Sequence, residues 1–312
     1  MDLRDLELSK YPKVELPELH DDFMFKAVMS KREICIEFLH SLLGLDIEEL
    51  KYIIYDDDDG NMSLVESIDV EKTILQDAIK IAGSHGVRVD LLIRTDTDKV
   101  INIEMQSVKK EKLPKRVRYY QSAIDRFTLS AGQGYNNLLE TYIIFVCDYD
   151  PFDADRPFYR KCSFMFDEDN VAVSDYKDGS YFVALNAAAT TTASLPVPLQ
   201  EFLSVVHSFK EGDIMTTRLG KMASEEVSKF REMPTFDASF RLYSKHSEEL
   251  KAEGREEGRA EGRAEGEERK AYNTLIRAHS SNKLTDELFG FVDMSKERFM
   301  ELYRKYNGHA AP

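Results

Sequence analysis

The stretch GVRVDLLIRTDTDKVINIEMQS, residues 86–107, decides the fold. It holds two runs rich in β-branched and aliphatic residues, 87–94 and 100–107, separated by the polar segment 95–99, which has the composition of a hairpin connection. Two adjacent strands are expected. Residues two apart on a strand share a face, so Glu104 and Gln106 point the same way, and pairing of the hairpin brings Asp90 to join them.

Two converging carboxylates are hard oxygen donors suited to Mg²⁺ or Mn²⁺, with the backbone carbonyl of Met105 able to complete part of the coordination sphere. Such an ion polarises a phosphodiester oxygen and lowers the pKa of a bound water, and Gln106 would orient that water for attack. An acid, thirteen intervening residues and then E-x-Q is a loose pattern, because acidic residues on strands face solvent more often than metal. The competing interpretation is a pair of structural carboxylates satisfied by Arg88 or Arg94. Val89, Leu91, Ile101, Ile103 and Met105 nevertheless suggest covered strands, where unpaired carboxylates are costly.

Working outward, apolar residues recur at helical spacing over 22–43, including Phe25, Val28, Met29, Ile34, Phe38 and Leu39, and Gly44 supplies a stop. One amphipathic helix is expected there. A short strand at 52–55 then runs into the acidic turn 56–60. After the hairpin come a helix over 113–129, a buried strand over 141–147, short strands including 162–166 and 181–185, and a helix near 199–209.

Residues 109–126 hold Lys109, Lys110, Lys112, Lys115, Arg116, Arg118 and Arg126 against Glu111 and Asp125, seven cations to two anions and so an excess of five. Such a segment either tracks a phosphate backbone, with Tyr119, Tyr120 and Gln121 adding stacking and hydrogen bonds, or is a solvated helical face. Lys109, Lys110, Lys115, Arg116, Arg118 and Gln121 are the candidate DNA contacts, with Arg118 and Gln121 the preferred residues beside the site. The whole chain carries a net charge of −15, so a nucleic-acid surface must be local.

Cys35, Cys147 and Cys162 form neither a CxxC nor an even disulfide set, which suits a reduced cytoplasm. The acidic start MDLRDLELSK does not read as a secretory signal, and no apolar run approaches the roughly 20 residues of a membrane helix. There is no HExxH, no GxxxxGK[ST] and no strand-linked GxGxxG, so zinc-hydrolase and nucleotide-driven chemistry lack support.

Five runs, in the same order, resemble the recombination-promoting nuclease (Rpn) family of PD-(D/E)XK transposases: HDDFMFKAVM (20–29), VRVDLLI (87–93), NIEMQ (102–106), RVRYYQSAIDRFTL (116–129) and IIFVCDYDPF (143–152). The likeness spans about residues 20–210 and extends to the Glu/Gly/Arg tail often seen in that family. It implies an α/β restriction-endonuclease-like core, a mixed sheet flanked by helices, that cleaves DNA with Mg²⁺ or Mn²⁺. Asp90 and Glu104 match the motif's acids, and Gln106 takes the position usually held by Lys, a substitution typical of this family. Val89 stands where the motif's name has Pro. The resemblance also points to Asp22, with Phe25 and Lys26, as an additional part of the site, against a plain role for Asp22 as a helix cap. Glu37 is a lesser candidate. The function implied is a DNA endonuclease linked to recombination or a mobile element; the alternative is a non-cleaving DNA-binding or assembly protein that keeps the fold.

A nuclease-like domain is expected over 1–235 and a helical tail over 236–312. Gly254, Gly258, Gly262 and Gly266 recur every four residues in the tail. Each Gly inside a helix costs about 1 kcal/mol relative to Ala, so a solvated spacer is one interpretation. A Gly row also allows close backbone approach, and a period above 3.6 favours right-handed winding, so a dimerising helix is the other. If the tail dimerises the protein, sedimentation will give a dimer mass for the full chain and a monomer mass once residues 249–270 are deleted. One monomeric mass for both would reject it.

Overall fold

The computed structural model describes residues 15–56, 61–67, 90–109, 113–129 and 132–307. Lys110, Lys112, Val89, Arg88 and most of the acidic turn 56–60 lie outside them.

The expected hairpin is present. β3 (Leu91–Thr95) pairs antiparallel with β4 (Val100–Gln106), with Leu91 opposite Ile103. Asp98, at φ 56, turns the chain in the left-handed region that Asp tolerates, and Thr95 N–H donates to Lys99 O at 3.0 Å. Among the described residues these strands sit near the middle of a seven-stranded mixed sheet. Its other members are β1 (Leu50–Asp56), β2 (Asn61–Val65), β5 (Thr141–Cys147), β6 (Phe158–Arg160) and β9 (Ser180–Asn186), in the order β2-β1-β3-β4-β5-β9-β6. The β4–β5 and β5–β9 pairs are parallel and the rest antiparallel.

The parallel β4–β5 pair demands a crossover, and α3 (Leu113–Thr128) supplies it. Leu113, Tyr120 and Ile124 on its inner side pack with Leu92, Ile143, Phe145 and Phe182 on one face of the sheet. On the other face Ile101, Ile103 and Met105 join the larger core with α1 (Asp22–Met29), α2 (Arg32–Leu43), α4 (Val197–Ser208) and α5 (Arg218–Glu232). Odd-numbered residues of β4 therefore enter the larger core, while Val100, Asn102, Glu104 and Gln106 face α3.

The single helix expected over 22–43 is instead two. Ser30 ends α1 and Lys31, in extended conformation, starts α2. Apolar periodicity continues through the break because both helices bury the same side, which is why it reads as one helix. The break has its own support: Ser30 Oγ donates to Lys26 O at 2.6 Å, and the buried Tyr52 hydroxyl donates to Ser30 O at 3.0 Å. The strand expected over 162–166 also differs. Among the described residues β7 (Phe164–Phe166) pairs with β8 (Ala172–Asp175) alone, in a separate ribbon, and Phe164, Met165, Phe166 and Val173 are exposed.

The described residues divide into two compact units, up to Lys245 and from His246 on. The long helix α6 (Pro234–Ser280) begins in the first, where Phe236 and Phe240 pack on Phe23, and it contains the Gly repeat. A Cβ added at Gly262 or Gly266 would meet nothing within 4 Å. In the second unit, Ala271, Tyr272 and Leu275 of α6 share a small core with Phe289 of α7 (Asp286–Phe291) and with Phe299 and Leu302 of α8 (Lys296–Asn307). No helix among the described residues is long and apolar enough to cross a membrane.

Candidate active site

The β3–β4 register, carried one residue past Leu91↔Ile103, sets Asp90 opposite Glu104. Two hydrogen bonds close this end of the pair. Asp90 N–H donates to Glu104 Oε1 at 3.0 Å, and Met105 N–H donates to Asp90 Oδ2 at 2.8 Å. Each carboxylate thus accepts a backbone N–H, a charge-assisted bond stronger than a neutral one.

Glu104 is 2% exposed, and its pKa is held well above the ordinary carboxylate value, first by burial and then by the charge of Asp90. The Asp90 N–H, the Asn102 amide and the Arg116 guanidinium act in the opposite direction. Asn102 influences Glu104 from two residues away on the same face, yet its Nδ2 and Oδ1 make no hydrogen bond of ordinary geometry among the described residues. Asn186 Nδ2, on the same face of the sheet, is in the same position.

Gln106 is held at both ends. Its Nε2 donates to Met105 O at 2.6 Å, and Arg116 Nη1 donates to its Oε1 at 2.5 Å. Arg116 Nη2 donates to the Tyr120 hydroxyl at 2.8 Å and lies 3.7 Å from Glu104 Oε2. The guanidinium carbon sits 5.4 Å from the centroids of both the Tyr120 and Phe145 rings. Burial opposes the charge of Arg116, but the Tyr120 bond and the two carboxylates prevail and raise its pKa. Burial and the Glu104 charge push the Tyr120 hydroxyl up to about 12, so it stays protonated.

The remaining sequence candidates fall in different places. On α3, Lys115, Arg118, Tyr119, Ser122 and Arg126 are exposed at helical spacing and make one polar face. Arg116 belongs to the inner side, with the carboxylates. Gln121 is also turned inward, bonding Asp125 at 2.7 Å and accepting from Ser180 at 3.2 Å. Lys109 pairs with Asp153 at 2.6 Å on the surface. Asp22 is exposed in the first turn of α1 and Lys26 is half-buried; α1 lies on the sheet face opposite α3. The cap of α1 is Asp21, which accepts from Phe23 N–H at 2.9 Å, so Asp22 is not the cap. Glu37 pairs with Arg218 at 3.4 Å. Residues that sequence reasoning passed over include Asn102, legible in hindsight from its alternation with Glu104, and a cluster at the start of α1. There Asp148 binds His207 Nδ1 at 2.5 Å and lies 3.7 Å from His20.

The donor set fits a hard divalent cation. A buried carboxylate facing a second one is electrostatically unfavourable by itself, and an oxygen-seeking cation relieves that repulsion. Asp90 and Glu104 would hold it, with Met105 O, which already accepts from Gln106, as a further oxygen. No group of three or more His, Cys, Asp or Glu suited to a metal occurs among the described residues, so water and substrate oxygens would complete the sphere, as Mg²⁺ commonly requires.

A mixed sheet flanked by helices, with Asp and Glu-x-Gln on paired central strands, is a PD-(D/E)XK nuclease core. The family model for PD-(D/E)XK nuclease family transposases matches residues 19–254, and the chain belongs to that family. No curated protein and no solved structure matches it significantly.

The raised pKa of Glu104 has a consequence for stability. The folded state holds the Glu104 proton more tightly than the unfolded chain, so stability is full below the ordinary carboxylate pKa of about 4.3 and is lost as pH rises through the raised folded value. Glu104→Gln keeps an oxygen for Asp90 N–H and removes the charge. In metal-free buffer its Tm should exceed that of the wild type by more at pH 8 than at pH 5, and Mn²⁺ should narrow the gap by stabilising the wild type. A Tm difference that does not change with pH would show that Glu104 does not titrate in this range.

Proposed function

We propose that the protein is a divalent-metal-dependent DNA endonuclease acting in recombination or on a mobile element, in the cytoplasm. The observation that carries this is the buried Glu104 carboxylate facing the half-buried Asp90, an arrangement whose repulsion a cation would relieve. Membership in a nuclease family of transposases supports it. When bound, Mg²⁺ or Mn²⁺ would supply Lewis-acid polarisation of the scissile phosphate and an activated water.

The chain's own residues do the rest. Asp90 and Glu104 would hold the cation, and the backbone N–H groups on their oxygens fix their directions. Gln106, anchored by Arg116, orients the attacking water. Hydrolysis consumes one water: its oxygen bonds to phosphorus, the bond from phosphorus to the leaving sugar oxygen breaks, and that oxygen takes a proton. The exposed face of α3, led by Lys115 and Arg118, lies along the phosphate backbone and gives local attraction to a chain of net charge −15. Asp22 and Lys26 enter this reading as an outer part of the site on the sequence resemblance alone, since α1 packs on the sheet face opposite α3, and the tail enters it as the segment through which two copies associate.

A second reading, a DNA-binding or assembly protein that does not cut, draws on Gln106 standing where a cation is usual and on the overall acidity. It predicts salt-dependent DNA binding with no cleavage in any metal.

Supercoiled plasmid incubated with the purified chain should be nicked in Mg²⁺ or Mn²⁺ and left intact in chelator. Asp90→Ala and Glu104→Ala should each slow nicking by roughly a thousandfold, the scale of several kcal/mol of lost charge stabilisation. Nicking that survives both substitutions would remove the assignment. For the α3 face, Lys115→Ala combined with Arg118→Ala should weaken binding to all sequences alike. It should also reduce the slope of log K against log salt by about 2, roughly one for each phosphate that the side chains no longer neutralise.

A further inference from the structure

We infer that Arg116 is the catalytic cation of this site, contacting a non-bridging oxygen of the scissile phosphate and stabilising the negative charge that develops there. The inference rests on the endonuclease reading. Phosphodiester hydrolysis gathers negative charge on the phosphoryl oxygens, and fixed positive groups aimed at that charge accelerate it. The strand that carries Glu104 offers no such group, since Gln106 is neutral. Arg116 reaches the same place from α3, with one nitrogen on Gln106 Oε1 and another 3.7 Å from Glu104 Oε2.

Three features set Arg116 apart from the surface cations of α3. It is preorganised, held by the Tyr120 hydroxyl and flanked by the rings of Tyr120 and Phe145. It also has donors to spare: a guanidinium has five N–H groups, and among the described residues its hydrogen bonds to Gln106 and Tyr120 use two. Its side chain is 24% exposed where that of Glu104 is 3% exposed, so a phosphate can approach the guanidinium. Lys115 and Arg118 hold substrate from the outer face, whereas Arg116 acts at the bond being broken.

The test uses the full chain as wild type, Arg116→Ala, and Arg116→Ala with Gln106→Lys, which returns a cation to the strand. Single-turnover nicking is measured across DNA concentrations, and Mn²⁺ affinity is measured by calorimetry without DNA. Arg116→Ala should lose about 10²–10³-fold in maximal rate, with the half-saturating DNA concentration changed only a few-fold. Its Mn²⁺ affinity should hold or tighten, because a competing positive charge beside Glu104 is gone. The added lysine, or guanidinium ion in solution, should restore at least a tenth of the rate. A rate within about threefold of an active wild type would overturn the inference alone, as would a loss carried by half-saturation or by weakened Mn²⁺ binding. A wild type that binds Mn²⁺ and DNA but never cuts would overturn the endonuclease reading and this inference with it.

Discussion

The register between β3 and β4 is the constraint on which the site depends. With Leu91 opposite Ile103, Asp90 falls opposite Glu104, and each acid receives a backbone N–H from the other strand's side of the pair. A slip by one residue would turn Glu104 and Gln106 into the larger core and bring Ile103 and Met105 to the α3 face. That slip is opposed by both layers at once, because every residue of β4 up to Met105 is buried. Hydrophobic packing thus holds two carboxylates in a place that their own electrostatics disfavours.

The crossover helix α3 combines three tasks that follow from one helical repeat. Leu113, Tyr120 and Ile124 cover the sheet; Arg116, one turn before Tyr120, reaches the carboxylates; Lys115, Arg118 and Arg126 stay in solvent. Because a parallel strand pair needs a crossover, the segment that follows the E-x-Q strand must return across the sheet. Its proximity to the site is thereby a topological consequence. The acidity of the chain as a whole does not oppose this, since screening confines charge effects to about 8–10 Å at physiological salt.

Elsewhere the sequence pattern overstates continuity. Periodic apolar residues run through Ser30 and Lys31, yet the helix breaks there because Ser30 and Tyr52 satisfy the freed backbone groups. Residues 164–166 have the composition of a core strand but form an exposed ribbon, since strand propensity specifies a pleated backbone and not which surface covers it.

Period-two alternation around Asp90, Glu104 and Gln106, the polar connection 95–99 and the crossover helix were legible in the sequence, because strand and helix repeats are local properties of the chain. So was the membership of the α/β class, and the run 109–126 was legible as a cationic helix surface, although Arg118, expected beside the site, is exposed and Arg116 takes that place. Tertiary structure alone decided that Arg116 and Gln121 leave that surface, that Asp21 and not Asp22 caps α1, and that Asn102 is buried beside Glu104. A charge run in a sequence does not say which of its members faces the sheet. That depends on the angle at which the crossover helix lies over β4 and β5, and only side-chain packing across the two layers sets it.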